Sequence, residues 1–208
     1  MKIPMVQRYT FPERVNHWVV MLTFLLLLVS GLAWFYPSFY WMVNLLGGGT
    51  CARILHPFIG VVMFISFLGM TFRFWKDNRM TKNDYQWLGK IGAVLRNDHH
   101  NLPEIGRYNP GQKLLFKTLV VCMLVLMVSG VIMWQPYFAP LFCIDSVRWA
   151  ILAHSLAAFV LISGITVHVY AAIFWITGSF TAMTTGLVTR AWARKHHPLW
   201  YREVSSGK

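Results

Sequence analysis

The run WAILAHSLAAFVLISGITVHVYAAIFW, Trp149–Trp175, decides the fold. It is 27 residues long and contains no Lys, Arg, Asp or Glu. A helix needs about 20 mostly apolar residues to cross ~30 Å of hydrocarbon, so this run is long enough to span a bilayer. It also carries two histidines, His154 and His168. Fourteen residues of α-helix rise ~21 Å and bring the chain back to within ~40° of the same face. The two imidazoles therefore lie on one side of one helix, one toward each membrane surface.

Three further stretches match it. Val15–Tyr36 and Ile54–Phe72 are uncharged, and so is Thr118–Trp134, which extends backward past Lys117 to Leu114. Only structures that satisfy their own backbone polar groups survive in lipid. The expected fold is thus all-α, a four-transmembrane-helix bundle forming a single domain over residues 1–208. Its helices are expected near 11–36, 54–75, 112–134 and 148–175. Thr10-Phe11-Pro12-Glu13 has capping-box spacing, which starts the first helix near Phe11 and sets His17 about two turns inside it. Pro57 fits only a first turn, which starts the second helix near Ile54. Residues 76–111 read as a polar loop with room for a short helix, and 178–208 as a basic tail. Within that tail Ser179–Lys195 reads as a basic helix along the membrane surface.

Charge orients these spans. Of 208 residues 56% are hydrophobic and only 12% charged, yet Lys and Arg outnumber Asp and Glu by 19 to 7. Such a balance suggests nucleic acid in a soluble protein, a reading that the spanning runs exclude. Three cations fall in the N-terminal segment, nine in the middle connection and its flanks, and five in the tail. Those regions share one side of a four-helix topology, and only Arg53 and Arg148 lie opposite. By the positive-inside rule both termini are cytoplasmic, in a bacterial inner membrane. Trp34, Trp41, Trp134 and Trp149 mark one interface, and Trp18, Trp75 and Trp175 the other. The polar start and the long first apolar run suit a permanent anchor and not a cleaved leader. Cys51, Cys122 and Cys143 show no metal-type spacing and read as free thiols.

The eight histidines divide by place. His99, His100, His196 and His197 sit in polar segments and read as solvated or interfacial residues. His17, His56, His154 and His168 sit within spans, where ionisable groups are rare and usually functional. Depth pairs them: His56 with His154 on the periplasmic half, His17 with His168 on the cytoplasmic half. A single such histidine could be an interhelical hydrogen bond, but two matched pairs suit two metal centres. Zinc usually takes four ligands, and no Cys, Asp or Glu accompanies either pair. Haem needs only axial ligands, and bis-histidine ligation leaves no open position, which suits electron transfer. Without C-x-x-C-H the haems should be non-covalent, two haem b. Gly31, Gly60, Ala157, Ala158 and Gly164 would leave room for a macrocycle, or equally serve close helix packing. Arg53 and Arg148 could pair with propionates or snorkel to the interface. A histidine relay in a proton transporter is the rival from another class, without broken helices or repeats to support it.

These residues carry a resemblance. Arg8-Tyr9-Thr10, Pro12-Glu13-Arg14 and Asn16-His17-Trp18 resemble the start of the cytochrome b (gamma) subunit of respiratory membrane-bound formate dehydrogenase. So do Arg53-Ile54-Leu55-His56-Pro57, Gly106-Arg107-Tyr108-Asn109, Gly111-Gln112-Lys113 and Trp134 with Pro136-Tyr137-Phe138-Ala139. Lys195-His196-His197-Pro198 and Trp200-Tyr201-Arg202-Glu203 are especially specific. The cytochrome b subunit of a membrane-bound hydrogenase or related periplasmic oxidoreductase is the nearest alternative.

The resemblance implies an electron-transferring, quinone-reducing subunit of an enzyme whose formate-oxidising site lies on another chain. It implies an iron–sulfur beta subunit and a molybdenum- or tungsten-containing alpha subunit, the heterotrimer assembling further. Electrons would pass from the periplasmic partner through two b haems to menaquinone or ubiquinone on the cytoplasmic side, contributing to proton-motive force. The quinone site it implies matches Asn109, Gly111, Gln112 and His168. Gly47-Gly48-Gly49, Cys51 and Cys143 depart from the family pattern. They fall in the periplasmic loops, where a Cys51–Cys143 disulfide is one alternative to two free thiols.

Overall fold

The computed structural model describes residues 4–95 and 102–206. His99, His100, Arg96, Lys2 and Lys208 lie outside the described residues. Among the described residues four helices are long and apolar enough to cross a membrane: α1 (Phe11–Phe35), α2 (Gly49–Phe74), α5 (Pro110–Met133) and α6 (Ile144–Tyr170), the last continued by a π-helical turn, Ala171–Trp175. Only 11% to 17% of each spanning window is buried. Leu22, Phe72, Val128 and Val167 are left exposed, which is stable where the solvent is hydrocarbon and ruinous in water.

Two starts differ from expectation by a turn or more, and α5 starts two residues early. α2 begins at Gly49, so Pro57 lies inside the helix and not in its first turn. Proline has no N–H to donate to the carbonyl four residues earlier, at a cost of roughly 3 kcal/mol in a soluble helix interior. Burial holds the turns ahead of it: Ala52 is fully buried and packs with Ala33 and Val43. The chain enters α2 from a 3-10 helix, Pro37–Leu46, through Gly47 and Gly48 at φ 83° and 96°. Gly48 donates to the Val43 carbonyl at 2.9 Å. The left-handed φ accounts for glycine at those two positions. α6 starts four residues before the expected Arg148, at Ile144, with Asp145 in its first turn where a carboxylate suits the helix dipole. α1 starts at Phe11, as the sequence indicates.

The chain divides into two compact units. One comprises Met1–Phe11, Arg73–Leu119 and Gly164–Lys208. In it the polar connection forms α3 (Lys82–Leu88) and α4 (Ile91–Leu95), and the tail forms α7 (Thr181–Thr184), α8 (Arg190–His196) and α9 (Pro198–Ser205). The continuous surface helix expected over Ser179–Lys195 does not form. Gly186, at φ 83°, ends α7, and Leu187–Thr189 becomes strand β2 against β1, Met5–Gln7. The pair is antiparallel, with Val6 opposite Val188. It is the one departure from an all-α fold among the described residues. Val6, Ala182, Val188, Ala193 and Trp200 form one buried apolar cluster of this unit. The other unit comprises Pro12–Phe72 and Val120–Ser163.

Candidate functional site

Within the second unit His56 and His154 face each other with ring centroids 6.4 Å apart. His56 is on the second turn of α2, and His154 on the third turn of α6. Each ring is tied at Nδ1 to a serine: Ser30 Oγ lies 2.6 Å from His56 Nδ1, and Ser129 Oγ 3.0 Å from His154 Nδ1. Both hydroxyls donate to carbonyls of their own helix, Ser30 to Leu26 at 3.0 Å and Ser129 to Val125 at 2.6 Å. A serine has one hydrogen, so each oxygen accepts from Nδ1–H. That fixes the tautomer and leaves both Nε2 lone pairs unused.

The spacing suits two ligands of one metal. With metal–imidazole bonds of about 2.0–2.1 Å and each nitrogen ~1.1 Å from its ring centre, opposed ligands of one metal have centroids about 6.3 Å apart. Space accompanies the pair. A Cβ added at Gly31 or Gly60, beside Ser30 and one turn beyond His56, would meet nothing within 4 Å. Gly164 is different: a Cβ there would come within 2.9 Å of Leu115 Cδ1, so this glycine serves helix packing. A flat tetrapyrrole with bis-histidine ligation fits the residues around His56 and His154. Arg53 and Arg148 are exposed, and Arg148 pairs with Asp145 at 3.3 Å. Among the described residues no three His, Cys, Asp or Glu cluster as a metal site, and Cys51 and Cys143 are free thiols.

His17 lies on the second turn of α1, in the same unit, its ring edge-on to Trp18. His168 lies in the last turn of α6, in the first unit.

That first unit also holds Asn109, Gly111 and Gln112, where α5 begins. Asn109 N–H donates to Gln112 Oε1 at 3.0 Å, and Gln112 N–H donates to Asn109 Oδ1 at 2.8 Å. This reciprocal cap satisfies two otherwise orphaned backbone donors. It also fixes which way both amides point, so each side chain has its NH2 left to offer a ligand. Gly111 belongs to the same device, because a Cβ there would sit 3.3 Å from Asn109 Oδ1. The next residue, Lys113, is almost fully buried and donates to Asp84 Oδ2 at 2.7 Å and to the Arg79 carbonyl at 3.1 Å. Burial raises the Asp84 pKa, but hydrogen bonds from Lys113 and from Thr81 N–H and O–H outweigh it and hold the carboxyl below its usual value.

Upstream of the cap, His197 departs from expectation. It is only 2% exposed, not solvated. Its Nδ1 donates to the Gly106 carbonyl at 3.0 Å, so Nε2 accepts from Arg8 Nη2 at 3.4 Å. Burial and the Arg8 charge push its pKa down to about 3. Arg8 is itself 4% exposed and sits over the rings of Trp200 at 4.5 Å, Tyr108 and Trp192 at 5.5 Å, and Tyr9 at 5.8 Å. Burial lowers the Arg8 pKa, a pull that Tyr9 and Tyr108 partly offset. The same burial raises the Tyr108 phenol well above its ordinary value.

Reading the sequence alone missed Ser30, Ser129, Arg8 and His197. A signal for the serines exists: Val29-Ser30-Gly31 in α1 recurs as Val128-Ser129-Gly130 in α5. Nothing local singles out Arg8 or His197, whose contacts run across 189 residues.

Residues 8–186 match the family model of prokaryotic cytochrome b561. Over 199 residues the chain is 50% identical to the cytochrome b556(fdo) subunit of formate dehydrogenase from Escherichia coli strain K12, covering 96% of this chain and 93% of that protein. It is 43% identical over 196 residues to the formate dehydrogenase cytochrome b556 subunit of Haemophilus influenzae, covering 94% and 82%. It is 41% identical over 207 residues to the nitrate-inducible cytochrome b556(Fdn) subunit of formate dehydrogenase from the same E. coli strain, covering 100% and 95%.

Proposed function

Because the chain belongs to the prokaryotic cytochrome b561 family, we propose that it is the membrane subunit through which a formate dehydrogenase reduces quinone. The observation that carries this reading is the His56–His154 pair, 6.4 Å apart with both Nδ1 positions tied to serine. Membership of a cytochrome b family implies haem b. His56 and His154 would hold one haem, and His17 and His168 would be the ligands of the other. When bound, the two groups supply one-electron carriage across the bilayer.

The chain's own residues do the rest. Ser30 and Ser129 hold the imidazoles in the tautomer that presents Nε2. The NH2 groups of Asn109 and Gln112 donate to a quinone carbonyl, with Gly111 keeping the approach open and His168 lining the same site. The cation partition supports a cytoplasmic side for both termini and this segment, in a bacterial inner membrane. The periplasmic side receives the iron–sulfur subunit, and a molybdenum- or tungsten-containing subunit oxidises formate. Each formate yields carbon dioxide, one proton and two electrons outside, and each quinone takes two electrons and two cytoplasmic protons. Electrons moving inward work against the membrane potential, at about 2.3 kcal/mol each per 100 mV. The charge separation follows from the sidedness and needs no proton channel.

The test is a reduced-minus-oxidised spectrum of the assembled complex, which should show two b-type centres. His56→Ala should remove one centre and stop quinone reduction while formate oxidation by an artificial dye persists. A complex without any b-type signal overturns the proposal, and so does His56→Ala with quinone reduction intact.

A further inference from the structure

The stretch before the proposed quinone-binding cap is held by distant parts of the chain. Arg202 pairs with Glu104. Leu199 N–H donates to the Ile105 carbonyl at 3.2 Å, and His197 Nδ1 to the Gly106 carbonyl at 3.0 Å. Arg8 Nη2 donates to the Arg107 carbonyl, and Arg107 returns a bond to the Arg8 carbonyl at 2.9 Å. Tyr9 and Tyr108 join their hydroxyls at 3.2 Å. From Glu104 to Tyr108, each residue is therefore fixed by the N-terminal segment or by the tail. Asn109 follows directly, and Lys113 anchors the far side of the cap to Asp84.

This holding differs from ordinary packing. The 104–109 segment has no helix or strand of its own, so its backbone carbonyls need outside donors. Arg8 and His197 supply donors for two successive ones, and Arg8 links them through a single nitrogen, Nη2. That nitrogen carries two hydrogens, one directed to the Arg107 carbonyl and one to His197 Nε2. The planar guanidinium sets the angle between these two bonds and spreads its charge over the surrounding rings, which the compact tetrahedral ammonium of a lysine does not reproduce. The guanidinium charge is met by four aromatic faces, those of Tyr9, Tyr108, Trp192 and Trp200.

We infer that Arg8 and His197 are positioning residues of the quinone site: they hold the Gly106 and Arg107 carbonyls and so set where the Asn109 and Gln112 amides point. The inference rests on the quinone site proposed above. It predicts a change in quinone affinity with no change in the electron carriers.

The experiment compares His197→Ala, His197→Asn, Arg8→Lys and Gln112→Glu in the purified complex, with a soluble menaquinone analogue as acceptor. His197→Ala and Arg8→Lys should raise the KM for the quinone about tenfold with kcat changed less than twofold. Dye-linked formate oxidation and both b-type signals should match wild type. Asparagine keeps a donor for the Gly106 carbonyl, so His197→Asn should return KM to within threefold of wild type. Gln112→Glu keeps the acceptor that the cap needs and deletes the NH2, so it tests the site itself. A raised KM in Gln112→Glu with wild-type KM in His197→Ala and Arg8→Lys overturns the positioning role alone. A wild-type KM in Gln112→Glu overturns the quinone reading beneath it. If His197→Ala does not assemble, Arg8→Lys and His197→Asn carry the comparison, and a wild-type KM in Arg8→Lys refutes the inference.

Discussion

Replacing Ser30 with alanine removes one oxygen and should change one metal centre. Ser30 is 1% exposed and its Oγ lies 2.6 Å from His56 Nδ1. Alanine leaves the imidazole N–H buried without its acceptor, a penalty of about 1–3 kcal/mol. Because every 1.4 kcal/mol is tenfold, that is roughly 5- to 150-fold in haem affinity at this position. Losing an outer partner of a ligating histidine typically costs 10–100-fold, in the same range. The electronic effect has a sign. An acceptor at Nδ1–H makes Nε2 a stronger donor and favours oxidised iron, so its loss raises the reduction potential. The assay is haem content per chain with a spectroscopic redox titration of the assembled complex. One b-type centre should be depleted or shifted upward, and the other unchanged. Ser30→Thr retains the hydroxyl and should behave as wild type. Ser129→Ala, with its longer 3.0 Å contact, should affect the same centre more weakly. Full occupancy at unshifted potentials in Ser30→Ala would refute the reasoning, as would equal loss in Ser30→Thr.

Asp84→Asn strips the charge partner from Lys113, which is 4% exposed, and should destabilise the protein by about 3–5 kcal/mol. Thermal unfolding in detergent should register that loss, and Asp84→Leu combined with Lys113→Met should recover most of it. Gly31→Leu enters space where a Cβ meets nothing within 4 Å, so it should leave assembly intact and remove one b-type signal. Gly164→Ala instead presses on the flexible Leu115 side chain. It should lower the melting temperature by the equivalent of about 1 kcal/mol with both signals retained. His197 makes stability depend on pH. The unfolded imidazole takes its proton near 6.5 and the folded one at about 3, so the folded state binds fewer protons between those values. Its contribution is complete above pH 6.5 and falls by up to about 1.4 kcal/mol per pH unit below it, as burial, then Arg8 and His196, oppose protonation. Melting of wild type between pH 7 and 5 should be steeper than that of His197→Asn, and equal slopes would contradict the assignment.

The spanning helices and their order are legible in the chain because each depends on local composition. A run of 20 apolar residues needs nothing beyond itself to be a helix in lipid, and 1.5 Å per residue converts residue number into depth. The pairing of His56 with His154 follows from that arithmetic, and the rings do face each other. What local composition misjudged is also instructive. Pro57 reads as a boundary by its own chemistry, yet burial of Ala52 against Ala33 and Val43 carries α2 on past it. Val188 reads as part of a helix until Val6, far away in the chain, supplies a strand partner.

The remaining features are contacts between distant residues, and no window of sequence contains them. Ser30 meets His56 across 26 residues and Ser129 meets His154 across 25. His197 reaches Gly106 across 91 residues and Arg8 across 189. Hydropathy and periodicity report how a segment relates to its solvent. Which nitrogen of a histidine is left free, and which carbonyl an arginine holds, depends on partners that only folding brings within 3 Å.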